Sequence, residues 1–182
     1  SKKVLIKRAA LSSQQQLSLI TSNLGEKIDN ISNYAITLSI NSNIADVLKE
    51  NPTVPENTLE HFLVNSELTD QAQRIIGLHK NIYTWDILDT ENHWFHSSTT
   101  ETDQLDSILG PEVLDSLQTN LAFQFLGPFQ ISGEPTFVAL KSITNIDNTK
   151  YLGALVLLCA AYGIITRQQG RNAESQALSP EN

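Results

Sequence analysis

The stretch LSLITSNLGEKIDNISNYAITL, residues 17–38, decides the fold because its apolar residues recur at the spacing of an α-helix. These residues follow one another at steps of three or four: Leu17, Ile20, Leu24, Ile28, Ile31, Ala35 and Leu38. The pattern predicts one helix from about Lys7 to Ser39, roughly 50 Å long at ~1.5 Å per residue. Such a helix is longer than a small domain. We therefore expect it to be a stalk that pairs with the same helix of a second copy.

Charge is unevenly distributed along the 182 residues, whose net charge is −8. Residues 81–140 contain nine Asp or Glu and no Lys or Arg. This balance argues against a nucleic-acid partner. The acidic residues near the predicted hairpin and insertion are Asp86, Asp89, Glu91, Glu101, Asp103 and Asp106. They could hold a divalent cation, bind a cationic small molecule, or form a solvated face.

The ends of the sequence suggest a longer chain. There is no methionine even at position 1, and Lys2, Lys3, Lys7 and Arg8 are typical of a segment that follows a membrane span. Residues 151–165 are uncharged, but a membrane helix needs ~20 residues. We predict a buried central strand there, with a truncated membrane segment as the alternative. Cys159, the single cysteine, is expected to be a buried, inert thiol.

Short helices are predicted after the stalk. Ser42 or Asn43 can cap a helix over residues 44–49. Beyond Pro52 and Pro55, two separate helical pieces are expected over residues 59–64 and 70–78, with Thr69 as the N-cap of the second.

Strand patterns begin at Ile82. Residues 82–88 and 93–97 flank the turn sequence DTEN and predict a hairpin. Two helical pieces are expected over residues 101–120, the second beginning at Pro111. Three more strands are predicted over residues 121–131, 136–144 and 151–161, with a bend at Gly127-Pro128. The turns between them are expected at residues 133–135 and at Asp147-Asn148.

These elements predict an α+β fold, with a long N-terminal helix packed on a five-stranded antiparallel sheet that has a helical insertion. The predicted organisation is a stalk (1–50), one sensor module (51–167) and a disordered tail (168–182). The order resembles the extracytoplasmic Cache (PAS-like) sensor domains of bacterial histidine kinases, chemoreceptors and diguanylate cyclases. The resemblance depends on the long helix, on the hairpin IYTWDILDTENHWFHS (residues 82–97) and on the last three strands. Asn92 stands where the family's turn has glycine, so we expect a positive φ there.

The resemblance implies a ligand between the sheet and the insertion. The candidate ligand-binding residues, placed by position only, are Tyr83, Trp85, Asp86, His96, Phe123, Lys141 and Tyr151. For each, a core or surface role in the sheet is the alternative. Amino-acid and carboxylate sensors of this family use arginine, and no Arg lies between Arg74 and Arg167. Carboxylate sensing is therefore disfavoured, and Lys141 is the cation expected within the strands.

Nothing in the sequence indicates an enzyme. There is neither a phosphate-binding glycine loop nor a dinucleotide fingerprint, and no cofactor is expected. Glu91, His93 and His96 could suggest a metal site. In a strand, however, Glu91 and His93 would share one face and His96 would take the other, which argues against a transition metal.

The resemblance thus implies the extracytoplasmic, ligand-sensing domain of a bacterial membrane receptor. Ligand binding would shift the stalk and signal across the membrane. The alternative is a dimerisation or protein-interaction module of the same fold, without a small-molecule ligand.

Overall fold

A computed structural model describes residues 5–7, 14–77, 79, 81–97 and 102–161 of the chain. The helices are α1 (Gln14–Ser39), α2 (Ser42–Glu50), α3 (Leu59–Ile76), α4 (Thr102–Ile108) and α5 (Pro111–Thr119). The strands are β1 (Leu5–Lys7), β2 (Ile82–Asp89), β3 (Trp94–His96), β4 (Gln124–Ile131), β5 (Glu134–Thr144) and β6 (Tyr151–Ala160). The predicted disordered tail from Gln168 lies outside the described residues.

The predicted five-stranded antiparallel sheet is confirmed. The strand order is β1-β4-β5-β6-β2-β3, and each pair from β4 to β3 is antiparallel. Strand β1 adds a short parallel edge beside β4, which the sequence analysis did not predict. Lys7 lies in that strand, so the predicted start of the long helix was wrong. The helix begins at Gln14.

Helix α1 buries part of the predicted stripe within its own chain. Ile28, Ile31, Ala35 and Leu38 are at most 4% exposed and pack in the same cluster as the sheet residues. The side chains of Leu17, Ile20 and Leu24 lie outside the described residues. The described half of the stripe therefore holds the helix against the sheet, and pairing with a second copy stays a prediction.

Two local predictions between α1 and β2 were wrong. The N-cap of α2 is Asn41, whose side chain accepts a hydrogen bond from the Ile44 backbone N–H at 3.0 Å. Helix α3 is continuous, because residues 59–76 contain no proline or glycine that would break it. Thr69 lies inside this helix, where its hydroxyl donates to the Asn65 carbonyl at 2.8 Å.

The predicted turns and bends are mostly confirmed. Asn92 has a φ of 63°, which keeps the hairpin turn closed without glycine. The register of β4 shifts at the cis Gly127-Pro128 peptide, where a bend was predicted. The turn before β5 is centred on residues 132–133, both with positive φ, rather than on 133–135. Strand β5 therefore begins earlier than expected, at Glu134.

Strand β6 is the central strand, as predicted. It lies between β5 and β2, and residues 152–159 are all buried. Cys159 is fully buried, and that burial raises the pKa of its thiol. Within the described residues, no helix combines the length and apolar character needed to cross a membrane.

Gly153 is required by the close approach of β6 to β2. A Cβ at this position would lie 2.6 Å from the Leu88 backbone carbonyl oxygen. We expect Gly153→Ala to lower the free energy of unfolding by about 1–3 kcal/mol through overpacking, as measured by urea denaturation. Gly25→Ala is the matched control, since nothing lies within 4 Å of a Cβ there. Because Gly25 lies inside α1, Gly25→Ala should raise the free energy of unfolding by about 0.5–1 kcal/mol. Equal effects of the two substitutions would contradict this account.

Candidate functional site

The two faces of the sheet are covered by different helices. The stalk face carries Trp85, Ile87, Ala139, Leu155 and Leu157, among others, and packs with α1, α2 and α3 in one core cluster. The insertion face carries Leu140, Val156 and Leu158, among others, and packs with α4 and α5 in a second cluster. Because side chains alternate along a strand, neighbouring residues belong to opposite faces.

The predicted ligand-binding residues are divided between these faces. Trp85 and Phe123 are buried in the stalk-face cluster, 3% and 4% exposed. Lys141 is half-buried and lies between Leu140 and Ser142, in register with Leu155, which places it on the stalk face as well. Burial lowers the pKa of its ammonium group. These three residues therefore lie on the opposite side of the sheet from the insertion.

The structure brings Asp86, His96 and Tyr151 to the insertion face. Asp86 is opposite Val156 and His96 in neighbouring strands, and Tyr151 packs against the insertion-face cluster. Tyr83 lies at a bulge in β2, and its hydroxyl is 2.9 Å from that of Thr136. Tyr83 is 48% exposed, and its partial burial raises its pKa.

Asp86 is a fully buried carboxylate with an imidazole as its main partner. The His96 Nδ1 lies 2.5 Å from Asp86 Oδ1, and the Thr84 hydroxyl lies 3.5 Å from Oδ2. Burial raises the pKa of Asp86, and the hydrogen bond and charge of His96 oppose that shift. The His96 side chain is 22% exposed, so the pair connects the core to the surface.

Asp89 has a structural role in the hairpin turn. Its Oδ1 accepts hydrogen bonds from the backbone N–H groups of Glu91 and His93, at 2.9 and 2.8 Å. Its Oδ2 lies 3.2 Å from His93 Nδ1. Asp86 and Asp89 therefore have separate histidine partners, and they do not converge on one point.

A metal centre finds no support in the described part of the chain, which contains no group of three His, Cys, Asp or Glu residues that could hold an ion. Asp106 is exposed and accepts a hydrogen bond from the Trp94 indole N–H at 3.1 Å. The side chains of Glu101 and Asp103 lie outside the described residues. Cation binding by the acidic patch stays a prediction.

Two buried polar residues of the insertion face were missed by the sequence analysis. Gln124 is 3% exposed and Ser142 is 1% exposed. Among the described residues, neither the Gln124 Nε2 nor the Ser142 Oγ has a hydrogen-bond partner. The Trp85 indole nitrogen, on the stalk face, also lacks one. The alternation of Gln124 with Phe123 and Phe125 already indicates that Gln124 lies on the opposite face from the two phenylalanines. It does not show that Gln124 is buried, because the sequence alone does not show that α4 and α5 cover that face.

Tyr151 adds a neutral hydroxyl beside these groups. Burial, together with the charge of Asp89, raises the pKa of Tyr151 to about 12. At neutral pH its hydroxyl is therefore protonated and can donate a hydrogen bond.

Side chains of α3 and of the loop before it cover the outer edge of β3. Asn65 accepts from the His96 backbone N–H at 2.8 Å and donates to the His96 carbonyl at 3.0 Å. The His61 Nε2 lies 2.8 Å from the Trp94 carbonyl oxygen, and a Glu56 carboxylate oxygen accepts from the Trp94 N–H at 2.7 Å. These side chains form hydrogen bonds with the β3 backbone that a further strand would otherwise form, and they fix the position of His96.

Comparison with known proteins gives limited similarity. No family model matches the sequence, and no curated protein matches it either. Among solved structures, the chain is similar to one described as the extracellular domain of a histidine kinase, rpHK1S-Z16, with 16% identity and a TM-score of 0.42. The match covers 81% of this chain and 63% of that one.

The raised pKa of Asp86 predicts that the stability of the fold depends on pH. Because the folded pKa lies above the unfolded value of about 3.9, the fold favours the protonated acid. The stabilisation that results is complete below about pH 4 and is lost as pH rises through the folded pKa. Asp86→Asn keeps the size and an acceptor but carries no charge. Its melting temperature relative to the native chain should therefore rise between pH 4 and pH 8, by ~2–4 °C, the shift that about 1 kcal/mol produces at this chain length.

Asp115→Asn is the matched control, because that carboxylate is exposed on α5. Its melting temperature should follow that of the native chain across the same pH range. If Asp86→Asn also followed the native chain, ionisation of Asp86 would not contribute to stability.

Proposed function

We propose that this chain is the extracytoplasmic signal-sensing domain of a membrane-bound bacterial signal-transduction receptor. A small ligand binds at the insertion face, and the sheet relays the change to α1. The helix pairs with its counterpart in a second copy and carries a shift across the membrane through segments beyond this sequence.

The observation that carries the proposal is that β5 contacts both covering layers. Its residues Leu140 and Ser142 face the insertion, while Ala139 and Ile143 face the stalk helices. Helix α1 packs against β5 and β6, and α5 packs against the same two strands from the other side. Only the thickness of one sheet separates a ligand under α5 from the stalk.

Close packing gives a physical reason for transmission. Interiors packed at native density do not deform continuously, so a small displacement of one layer favours a different arrangement of the next. A ligand that binds one arrangement more tightly shifts the population toward it. The buried residues Ile31, Ala35 and Leu38 couple α1 to that choice.

An interaction module is the second candidate function, and one observation favours it. Leu59, Phe62 and Leu63 lie on one side of α3 and are 74%, 65% and 57% exposed. Their spacing of three and four residues forms an apolar strip that a partner protein could cover. The two candidate functions differ in whether the insertion face takes a ligand.

A thermal-shift screen tests the proposal. The purified chain is heated with divalent cations, amines, amino acids, carboxylates and sugars. A ligand that binds the folded state stabilises it by about 2.7 kcal/mol at one hundred times its dissociation constant. We expect at least one class to raise the melting temperature, and amide hydrogen exchange with that compound should change in both β5 and α1.

The control variant is Phe62→Ser, on the exposed strip of α3, which should bind the same compound unchanged. A hit that alters exchange only on the insertion face would contradict the relay. A chain that responds to no compound, but whose binding to a partner is lost on Phe62→Ser, would be the interaction module instead.

A further inference from the structure

Two buried hydrogen-bonding groups on the insertion face have no partner in the described part of the protein. They are the Gln124 side-chain amide nitrogen and the Ser142 hydroxyl, and each atom is shielded from solvent. A buried polar group without a partner destabilises a fold, so most such groups in native proteins are bonded to protein, water or a ligand. An adjacent pair of them is unusual enough to require an explanation.

The strand register places these groups beside each other. Gln124 of β4 is directly opposite Leu140 of β5, and Ser142 is the next residue of β5 on the same face. Diagonal neighbours of this kind are about 7–8 Å apart at the backbone. That separation lets two side chains bond to one small molecule lying between them.

The next strand contributes a small residue and a hydroxyl. Ala154 of β6 is opposite Ser142. Tyr151 of β6 is opposite Thr144, which lies two residues after Ser142 in β5. Tyr151 packs against the insertion-face cluster. Gln124, Ser142, Ala154 and Tyr151 therefore lie on the insertion face of three adjacent strands, on the side covered by α4 and α5. These four residues are here called the polar floor.

We infer that the polar floor binds a small uncharged molecule that presents a carbonyl or hydroxyl oxygen. This inference rests on the proposed function and names the chemical class of its ligand. The Gln124 amide nitrogen can only donate hydrogen bonds, and the Ser142 and Tyr151 hydroxyls can also donate. The bound molecule must therefore supply acceptor oxygens.

The surrounding charges exclude ionic ligands. Strands β2 to β6 contain one Lys or Arg, Lys141, and it lies on the stalk face. The other basic residue, His96, is already paired with Asp86, so an anion would have no free counter-charge from these strands. The nearby carboxylates of Asp86 and Asp89 already have partners, in His96 and in the hairpin turn respectively. A cation would face the positive ends of the Gln124 N–H bonds. A neutral molecule with acceptor oxygens meets neither penalty.

The experiment compares uncharged and charged probes by thermal shift on the purified chain. The uncharged probes are acetamide, glycerol and glucose, and the charged ones are acetate and putrescine. The variants are Ser142→Ala and Gln124→Met, which remove the unpaired groups with little change in shape. Ser39→Ala is the matched control, because Ser39 is equally buried but its hydroxyl donates to the Ile36 carbonyl at 2.8 Å.

We expect an uncharged probe to raise the melting temperature of the native chain and of Ser39→Ala. The melting temperatures of Ser142→Ala and Gln124→Met should not change with the probe. Without a probe, Ser142→Ala should melt about 2–4 °C higher than the native chain, because an unsatisfied group is lost. Ser39→Ala should melt lower, because a hydrogen bond is lost.

Three results would overturn the inference. The first is a shift with acetate or putrescine alone, which would leave the sensing function intact but name another ligand class. The second is that the uncharged probes do not report on the polar floor, either because their shift persists in both floor variants or because none of the three produces a shift. The third is a fall in the melting temperature of Ser142→Ala equal to that of Ser39→Ala, which would mean that the Ser142 hydroxyl is already bonded.

Discussion

The rest of the structure depends on the burial of β6 on both of its faces. Residues 152–159 form one uninterrupted buried run between β5 and β2, so this strand has no solvent-facing side. Burying both faces requires a layer of helices on each side, and the chain provides α1 to α3 for one and α4 with α5 for the other. At ~25 cal/mol per Å² of apolar surface, these two layers supply the main favourable term in folding. Gly153 then allows β2 to approach closely enough to complete the sheet.

Much of this architecture could be predicted from the sequence, because the relevant signals are local and periodic. The stripe from Ile28 to Leu38, the hairpin around Asn92 and the apolar run of β6 each indicate one kind of element. Where the predictions were wrong, tertiary context decided. The three residues of β1 are too few for a periodic pattern, and they form a strand only because the edge of β4 is available to them. The N-cap of α2 depends on where α1 ends, which a pattern defines only to within one or two residues.

The candidate site was less predictable, because membership of a face is a property of the whole sheet. Alternation alone implies that Trp85 and Asp86 point to opposite sides, so both could not line the space under the insertion. Which side faces the insertion is decided by the packing of α1 and α4, and no short stretch of sequence contains that information. For the same reason, the burial of Gln124 and Ser142 could not be predicted. Polar residues are ordinary in a strand with one exposed face, and only the structure shows that both faces of these strands are covered. The bonds from Asn65 to β3 join residues 31 positions apart and have no sequence signature.

The distribution of buried polar groups gives the two faces different energetic roles. On the stalk face, Ser39 of α1 is buried and bonded to its own helix, while the Trp85 indole nitrogen has no hydrogen-bond partner in the described part of the protein. The insertion face holds a buried carboxylate, Asp86, paired only with partly exposed His96 and a distant Thr84 hydroxyl, together with the unpaired groups of Gln124 and Ser142. Each of these lowers the stability of that layer relative to an apolar equivalent. A layer that is less stable than its neighbour opens and rearranges at a lower cost in free energy. A molecule that bonds to the unpaired polar groups of that layer therefore binds one arrangement more tightly than the other. The stalk face has such a group at Trp85, and this face packs directly on α1. In the proposed function, the insertion face, which holds more of these unpaired groups, receives the signal, and the stalk face, which packs on α1, transmits it.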